Sequence, residues 1–502
     1  MSPDLVGSES GMQEASLTGV AGLDDILGGG LARGRLFLLE GSPGTGKTTI
    51  ATQFLMEGAR KGEKCLYITL SETDEELRES AKSHGWNLDE ITVFELVPPE
   101  SLLDEQQQQS LLYSSDLELG EATKRIVSVF EQEQPDRVVL DSLSEIRLLA
   151  QSSLRYRRQI LALKHYFSKR NTTVLMLDDL TADMMDKTVH SIAHGVVRLE
   201  ELSPGYGSER RRMKVLKYRG RKFRGGFHDF VIDTGGIRAF PRLVSAEHHG
   251  NFSRTLLGSK SAELDALLGG GVPRGSSTLI LGPAGTGKSL LALTFVMAAI
   301  QRAERTAMFV FDEELGLLID RAREMGLDLL PHIEAGSLIL EQVDAAELSP
   351  GEFSERVRAR VEQGGVRTIV VDSLNGYQTA MPEENALILH MHELLQYLNR
   401  QGATTFLTVA QHGLVGDMRS PVDVTYLADT VVLLRYFEAF GRVRRAISII
   451  KKRIGGHEDT IREYRIGNDG FRIGEPITGF QGVLRGVPTY TGDGPGLLKD
   501  LP

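Results

Sequence analysis

The sequence predicts an α/β protein of two tandem domains, each a mostly parallel sheet flanked by helices. Three observations carry this. At 502 residues the chain is too long for one ordinary core and long enough for two domains that each bury most of their apolar surface. Landmarks of the first half recur in the same order in the second, which is the signature of an internal repeat. Within each half, short apolar runs alternate with helical stretches, the pattern of parallel strands joined by crossover helices.

Taken in order, residues 1–15 form an expected N-terminal extension, without the basic start and apolar stretch of a secretory signal. The first domain is expected over 16–246. It opens on Gly22-Leu-Asp-Asp-Ile-Leu followed by three glycines. Strands are expected at 36–40, 65–69, 137–141 and 173–177. Cys65, the single cysteine, lies in the second of these and reads as a small buried hydrophobe with no disulfide partner. The run Gln106 to Gln109 reads as a solvated loop or helix face. The boundary is placed near Ala246 to Asn251, where Ala-Glu-His-His-Gly-Asn interrupts the apolar pattern, and its two histidines read as linker surface.

The second domain, 247–487, repeats the plan: an opening at Glu263-Leu-Asp-Ala-Leu-Leu, then strands at 278–281, 307–311, 368–372 and 405–409. Residues 290–300 are its longest apolar run, far short of the roughly 20 needed to cross a bilayer, and read as a buried helix. Residues 488–502, rich in Gly, Pro and Thr, read as a flexible tail. With no membrane span and no signal peptide, a cytoplasmic location is expected.

Each half carries a phosphate-binding loop. Gly41, Ser42, Pro43, Gly44, Thr45, Gly46, Lys47 and Thr48, with Thr49 beyond, fit G-x-x-x-x-G-K-S/T; so do Gly282, Pro283, Ala284, Gly285, Thr286, Gly287, Lys288 and Ser289, with Leu290 beyond. Glycines let backbone N–H groups wrap phosphates at a helix N-terminus, and the lysine neutralises the β and γ phosphates. Thr48 and Ser289 are the expected magnesium hydroxyls, and Asp141 and Asp372, each ending an apolar strand before Ser-Leu, the expected magnesium carboxylates. ATP and Mg2+ are therefore the expected substrate and cofactor. A carboxylate must orient the nucleophile; Glu72, Asp312 and Glu313, just past the second strand of each half, are the candidates.

The net charge of −11 argues against general nucleic-acid affinity. Two basic patches nonetheless stand out, one over 210–224 and one over 442–453. They contain a second repeated signature, Lys217-Tyr-Arg219 and Lys451-Lys-Arg453.

Together, the paired openings, P-loops, Asp-Ser-Leu segments, Lys-x-Arg pairs and the stretch from Ala428 to Arg435 resemble the KaiC-like circadian clock ATPases, the double-domain branch of the RecA-like ATPases, over most of the chain. The resemblance implies RecA-like domains and a hexameric double ring with ATP between subunits, so that Lys217, Arg219, Lys451 and Arg453 would reach the neighbouring subunit's nucleotide. It also implies a KaiB-like protein or a sensory kinase as partner. In that family two adjacent glutamates follow the strand in each half; here Ser71-Glu72 and Asp312-Glu313 stand there, which bears on the first half's hydrolysis rate. The family's second domain phosphorylates adjacent Ser and Thr residues, positions that fall on Thr425 and Tyr426. The leading expectation is a regulatory ATPase and serine/threonine autokinase. The competing one is a RecA- or RadA-like recombination ATPase, and a third is a nucleotide-dependent scaffold with a sluggish first ring.

Overall fold

The computed structural model describes residues 15–96, 111–180, 188–203, 207–380, 384–411, 425–468, 470–486 and 488–492. The glutamine run at 106–109 and most of the tail fall outside them. The chain divides into two compact units, Met1–Arg242 and Leu243–Pro502. The division comes just ahead of Ala246 because Leu243 packs on the second unit's core, while the Ser245 N–H donates to Glu393 and Arg400 donates to the Ser245 carbonyl.

In the first unit the principal strands are β1 (Leu36–Gly41), β2 (Cys65–Thr69), β3 (Ile91–Glu95), β4 (Arg137–Asp141), β5 (Thr173–Asp179), β6 (Gly195–Leu202), β7 (Arg210–Tyr218), β8 (His228–Asp233) and β9 (Gly236–Phe240). They form one sheet in the order β9-β8-β7-β6-β1-β5-β4-β2-β3. From β3 to β6 all neighbours are parallel, and β6 to β9 continue as antiparallel hairpins. The central strands are buried from end to end, as strands covered on both faces must be.

The second unit repeats this strand for strand. Its strands are β10 (Ser277–Gly282), β11 (Arg305–Val310), β12 (Leu338–Gln342), β13 (Val366–Asp372), β14 (Thr404–Ala410), β15 (Thr430–Ala439), β16 (Arg442–Lys452), β17 (Arg462–Gly467) and β18 (Gly470–Pro476). The order β18-β17-β16-β15-β10-β14-β13-β11-β12 matches the first sheet position by position. In both units the glycine-loop strand, β1 or β10, lies one strand away from the Asp-ending strand, β4 or β13. The carboxyl ends of parallel strands, where such sheets bind ligands, therefore bring the two motifs to one edge.

Helices α1 (Lys47–Arg60) and α6 (Lys288–Gln301) leave the two glycine loops. The stretch at 290–300 is the body of α6. Its Leu290, Leu291, Leu293, Phe295 and Val296 are buried on nearly every side, each side chain contributing about 1.5–3 kcal/mol on transfer from water. Helix α2 (Asp74–Ser83) starts on a capping box: the Thr73 hydroxyl accepts from the Glu76 N–H, and Glu76 accepts from the Thr73 N–H. The paired Gly/Glu-Leu-Asp openings are local knots. Asp24 accepts from the Thr18 N–H at 2.9 Å and Asp265 from the Ser259 N–H at 2.6 Å, fixing each entry segment. Past Pro488, Thr489–Tyr490 pairs with Phe480–Gln481. Among the described residues no helix is long and apolar enough to cross a membrane.

Candidate nucleotide sites

Both P-loops turn from strand to helix through a glycine with positive φ, 92° at Gly46 and 91° at Gly287. A side chain there would also collide: a Cβ on Gly46 would lie 2.8 Å from Ile232, and one on Gly287 2.4 Å from Ile466. The Thr45 hydroxyl closes the first loop by donating to the Ser42 carbonyl at 2.7 Å, as Thr286 donates to Pro283 at 2.8 Å. Lys47 curls back over its loop, donating to the Gly41 and Ser42 carbonyls at 2.9 Å each, and pairs with Asp179 at 2.7 Å. Lys288 donates to the Pro283 carbonyl at 2.9 Å; burial holds its amine below the usual lysine range against the pull of Asp372. Ser42, Pro43, Gly44, Ala284 and Gly285 stay exposed, so both cradles open to solvent.

Asp141 and Asp372 end their strands beside these loops and are buried. Asp141 accepts from the Tyr67 hydroxyl at 2.6 Å and from Thr48 at 3.3 Å. Burial raises its pKa, while the Tyr67 and Thr48 bonds oppose the rise. Asp372 accepts from the Thr408 hydroxyl on the neighbouring strand. Thr48 lies in hydrogen-bond contact with Asp141, and both offer only hard oxygen donors at the foot of the phosphate loop, so this donor set fits magnesium.

The carboxylates after β2 and β11 fall into equivalent positions. The Leu70 N–H donates to the Asp141 carbonyl at 2.6 Å and the Phe311 N–H to the Asp372 carbonyl at 2.7 Å, which aligns Ser71 with Asp312 and Glu72 with Glu313. The Thr69 hydroxyl ties the first turn to the Glu72 backbone. Burial raises the Glu72 pKa, and the negative charges of Asp141, Glu76 and Asp179 raise it further. In the second half three consecutive acids divide three tasks. Asp312 accepts from the Ser373 hydroxyl next to Asp372, and Glu313 pairs with Arg321 at 2.7 Å. Glu314 caps helix α7 (Leu315–Glu324), accepting from the Gly316 and Leu317 N–H groups.

The Lys-x-Arg pairs do parallel work in both halves. Lys217 donates to the His190 and Ala193 carbonyls, and Arg219 to the Ser191 carbonyl at 2.7 Å. Lys451 donates to the Thr425 and Ala428 carbonyls at 2.9 and 2.8 Å, and Arg453 to the Tyr426 carbonyl at 2.6 Å. Each pair clamps the segment that leads into the next strand, the short helix Thr188–Ile192 ahead of β6 and a turn ahead of β15. Thr425 and Tyr426 sit in that turn, with Tyr426 48% exposed. Much of the remaining basic patch is neutralised within the sheet: Arg211 pairs with Glu201, Arg212 with Glu200 and Arg444 with Glu463.

Tyr67, Asp179 and Thr408 belong to no consecutive motif in the sequence. Their signal is positional: all three lie on strands whose register only the folded sheet supplies, although comparing the two repeats would have exposed an acid at 179 opposite an alanine at 410.

Two RecA-like α/β domains, each with a P-loop beside a strand-end aspartate, define a tandem P-loop ATPase. The family model for the KaiC ATPase matches residues 16–244 and again 259–477, so the chain belongs to the KaiC ATPase family. It is 27% identical to the circadian clock protein KaiC3 of Synechocystis over 97% of both chains. It is 28% identical to the circadian clock protein KaiC2 of the same organism, over 94% of this chain and 83% of that one. With the circadian clock oscillator protein KaiC of Acaryochloris marina it shares 26% identity, over 94% of this chain and 91% of that one.

Proposed function

We propose that both halves bind and hydrolyse ATP with magnesium, that the second half is also an autokinase acting on Thr425 and then Tyr426, and that the chain works as a six-membered ring signalling to protein partners through its nucleotide and phosphorylation state. The observation that carries the autokinase reading is the clamp. Three donated hydrogen bonds from Lys451 and Arg453 hold the backbone of the turn carrying Thr425 and Tyr426, so this turn is presented in a fixed shape.

In the chemistry, Lys47 and Lys288 neutralise the β and γ phosphates of the substrate. Asp141 with Thr48, and Asp372 with Ser289, would hold Mg2+, which supplies charge neutralisation at the phosphates when bound. In the second half Asp312 is the carboxylate nearer the Asp372 end and is the preferred base, while Glu313 is engaged by Arg321. The Thr425 oxygen forms a bond to the γ-phosphorus, the bond to the β–γ bridging oxygen breaks, ADP leaves and the hydroxyl proton passes to the carboxylate. Tyr426 ranks second because its ring sets the oxygen farther from the backbone. In the first half the position level with Asp312 is Ser71, which leaves Glu72 to orient water and predicts slower hydrolysis there. The ring reading follows from Lys217, Arg219, Lys451 and Arg453, which lie at the ends of β7 and β16, hold the neighbouring segments that lead into β6 and β15, and fit donation to a neighbour's nucleotide.

The test is incubation of the full chain with magnesium and γ-labelled ATP, with and without DNA, followed by sizing and mapping of any bound phosphate. Label on Thr425, lost in Thr425→Ala and in the combined Asp312→Asn and Glu313→Gln chain, is expected, in an assembly of six and without stimulation by DNA. Hydrolysis with no label on this segment would remove the autokinase reading and leave the ATPase.

A further inference from the structure

The two phosphate cradles share strand register but differ in charge at the strand ends, and at one of those positions the difference reaches the P-loop lysine. In the first unit β5 runs beside β1 with Asp179 opposite Gly41; in the second β14 runs beside β10 with Ala410 opposite Gly282. Asp179 and Ala410 thus hold the same place, one strand over from the first glycine of the loop. The strand end carrying Asp179 is fixed by its own backbone, its N–H donating to the Ser144 hydroxyl at 3.3 Å. From there the carboxylate reaches the Lys47 amine at 2.7 Å, with the lysine 7% and the aspartate 30% exposed. In the second cradle the Lys288 amine bonds a loop carbonyl, and Ala410 brings no charge to it.

We propose that Asp179 is a resident counterion of the first P-loop, which engages Lys47 while the site holds no nucleotide and must yield it to the incoming phosphates, so that the first site binds ATP more weakly than the second. The reason is competition between anions for one ammonium. Lys47 gains a phosphate contact only by giving up a carboxylate contact, so the net gain is smaller than for Lys288. The displaced carboxylate also stays near the phosphates, in a region where Asp141 and Glu72 already add negative charge. This inference rests on nucleotide binding at both P-loops and assigns Asp179 the role of setting their difference.

The test is titration of the full-length chain with a ribose-labelled fluorescent ATP and magnesium. Lys288→Ala isolates the first site and Lys47→Ala the second. In the Lys288→Ala chain, Asp179→Asn keeps the side-chain shape, removes the charge and is expected to tighten binding about tenfold. In the Lys47→Ala chain, Ala410→Asp is expected to weaken binding by a similar factor. Unchanged or weaker first-site binding in a folded Asp179→Asn chain overturns the proposal, and so does unchanged second-site binding with Ala410→Asp. No first-site binding with either residue at 179 would instead remove the nucleotide reading of the first site, and the counterion role with it.

Discussion

Asp141 can hold a cation only as a carboxylate, yet burial pushes its pKa up. The Tyr67 hydroxyl, 2.6 Å away, works against that rise by bonding the ionised form. Removing it with Tyr67→Phe leaves burial less opposed, so Asp141 protonates at higher pH. Hydrolysis by the first site, measured in the Lys288→Ala chain, is therefore expected to show an acid limb displaced to higher pH by Tyr67→Phe, with the neutral-pH rate less affected. An unmoved or downward-displaced limb would contradict this role. Tyr67 also marks how far single residues were legible. The P-loop residues declare themselves because their chemistry is written in consecutive positions. Tyr67, Asp179 and Thr408 act on groups that only strand register brings beside them.

At the scale of elements, the sheet strands were legible because strands covered on both faces are continuous apolar runs. The extra residues at their ends, such as Asp178 and Asp179 on β5, were not, since polar strand ends resemble loops. The helical layer of the second unit holds a group that sequence pattern did not mark. His390, on α10 (Glu384–Arg400), is bonded by Ser354 of α8 (Pro350–Glu362) at 3.0 Å and by Tyr377 of α9 (Leu374–Ala380) at 2.9 Å. Burial among these helices pushes its pKa down to about 4. An unfolded histidine titrates near 6.5, so above that pH both states are neutral and the contribution to stability is whole. As pH falls from about 6.5 towards about 4 the unfolded chain takes the proton first, and stability drops by up to about 3 kcal/mol. Urea melts at pH 7 and pH 5 are expected to show a smaller acid loss for the second unit in His390→Gln than in the parent chain. An equal loss in both would mean that His390 is not the source.

At the scale of the molecule, the duplication kept topology and changed chemistry. Where the first unit lines the strand ends beside its P-loop with Glu40, Asp178 and Asp179, the second has Leu281, Val409 and Ala410 at the same register. The first set is compensated locally, Glu40 by Arg198 with His190 in hydrogen-bond contact, Asp178 by Arg147, and Asp179 by Lys47. Both units nevertheless retain the loop, its lysine and the strand-end aspartate. We infer that this shared equipment makes two working nucleotide sites in one chain. This is tested most directly by counting ATP bound per chain at saturation with magnesium, in the parent protein and in Lys47→Ala and Lys288→Ala separately. About two ATP are expected in the parent and about one in each variant, since each lysine serves one cradle alone. Parent-level occupancy in both variants would contradict it.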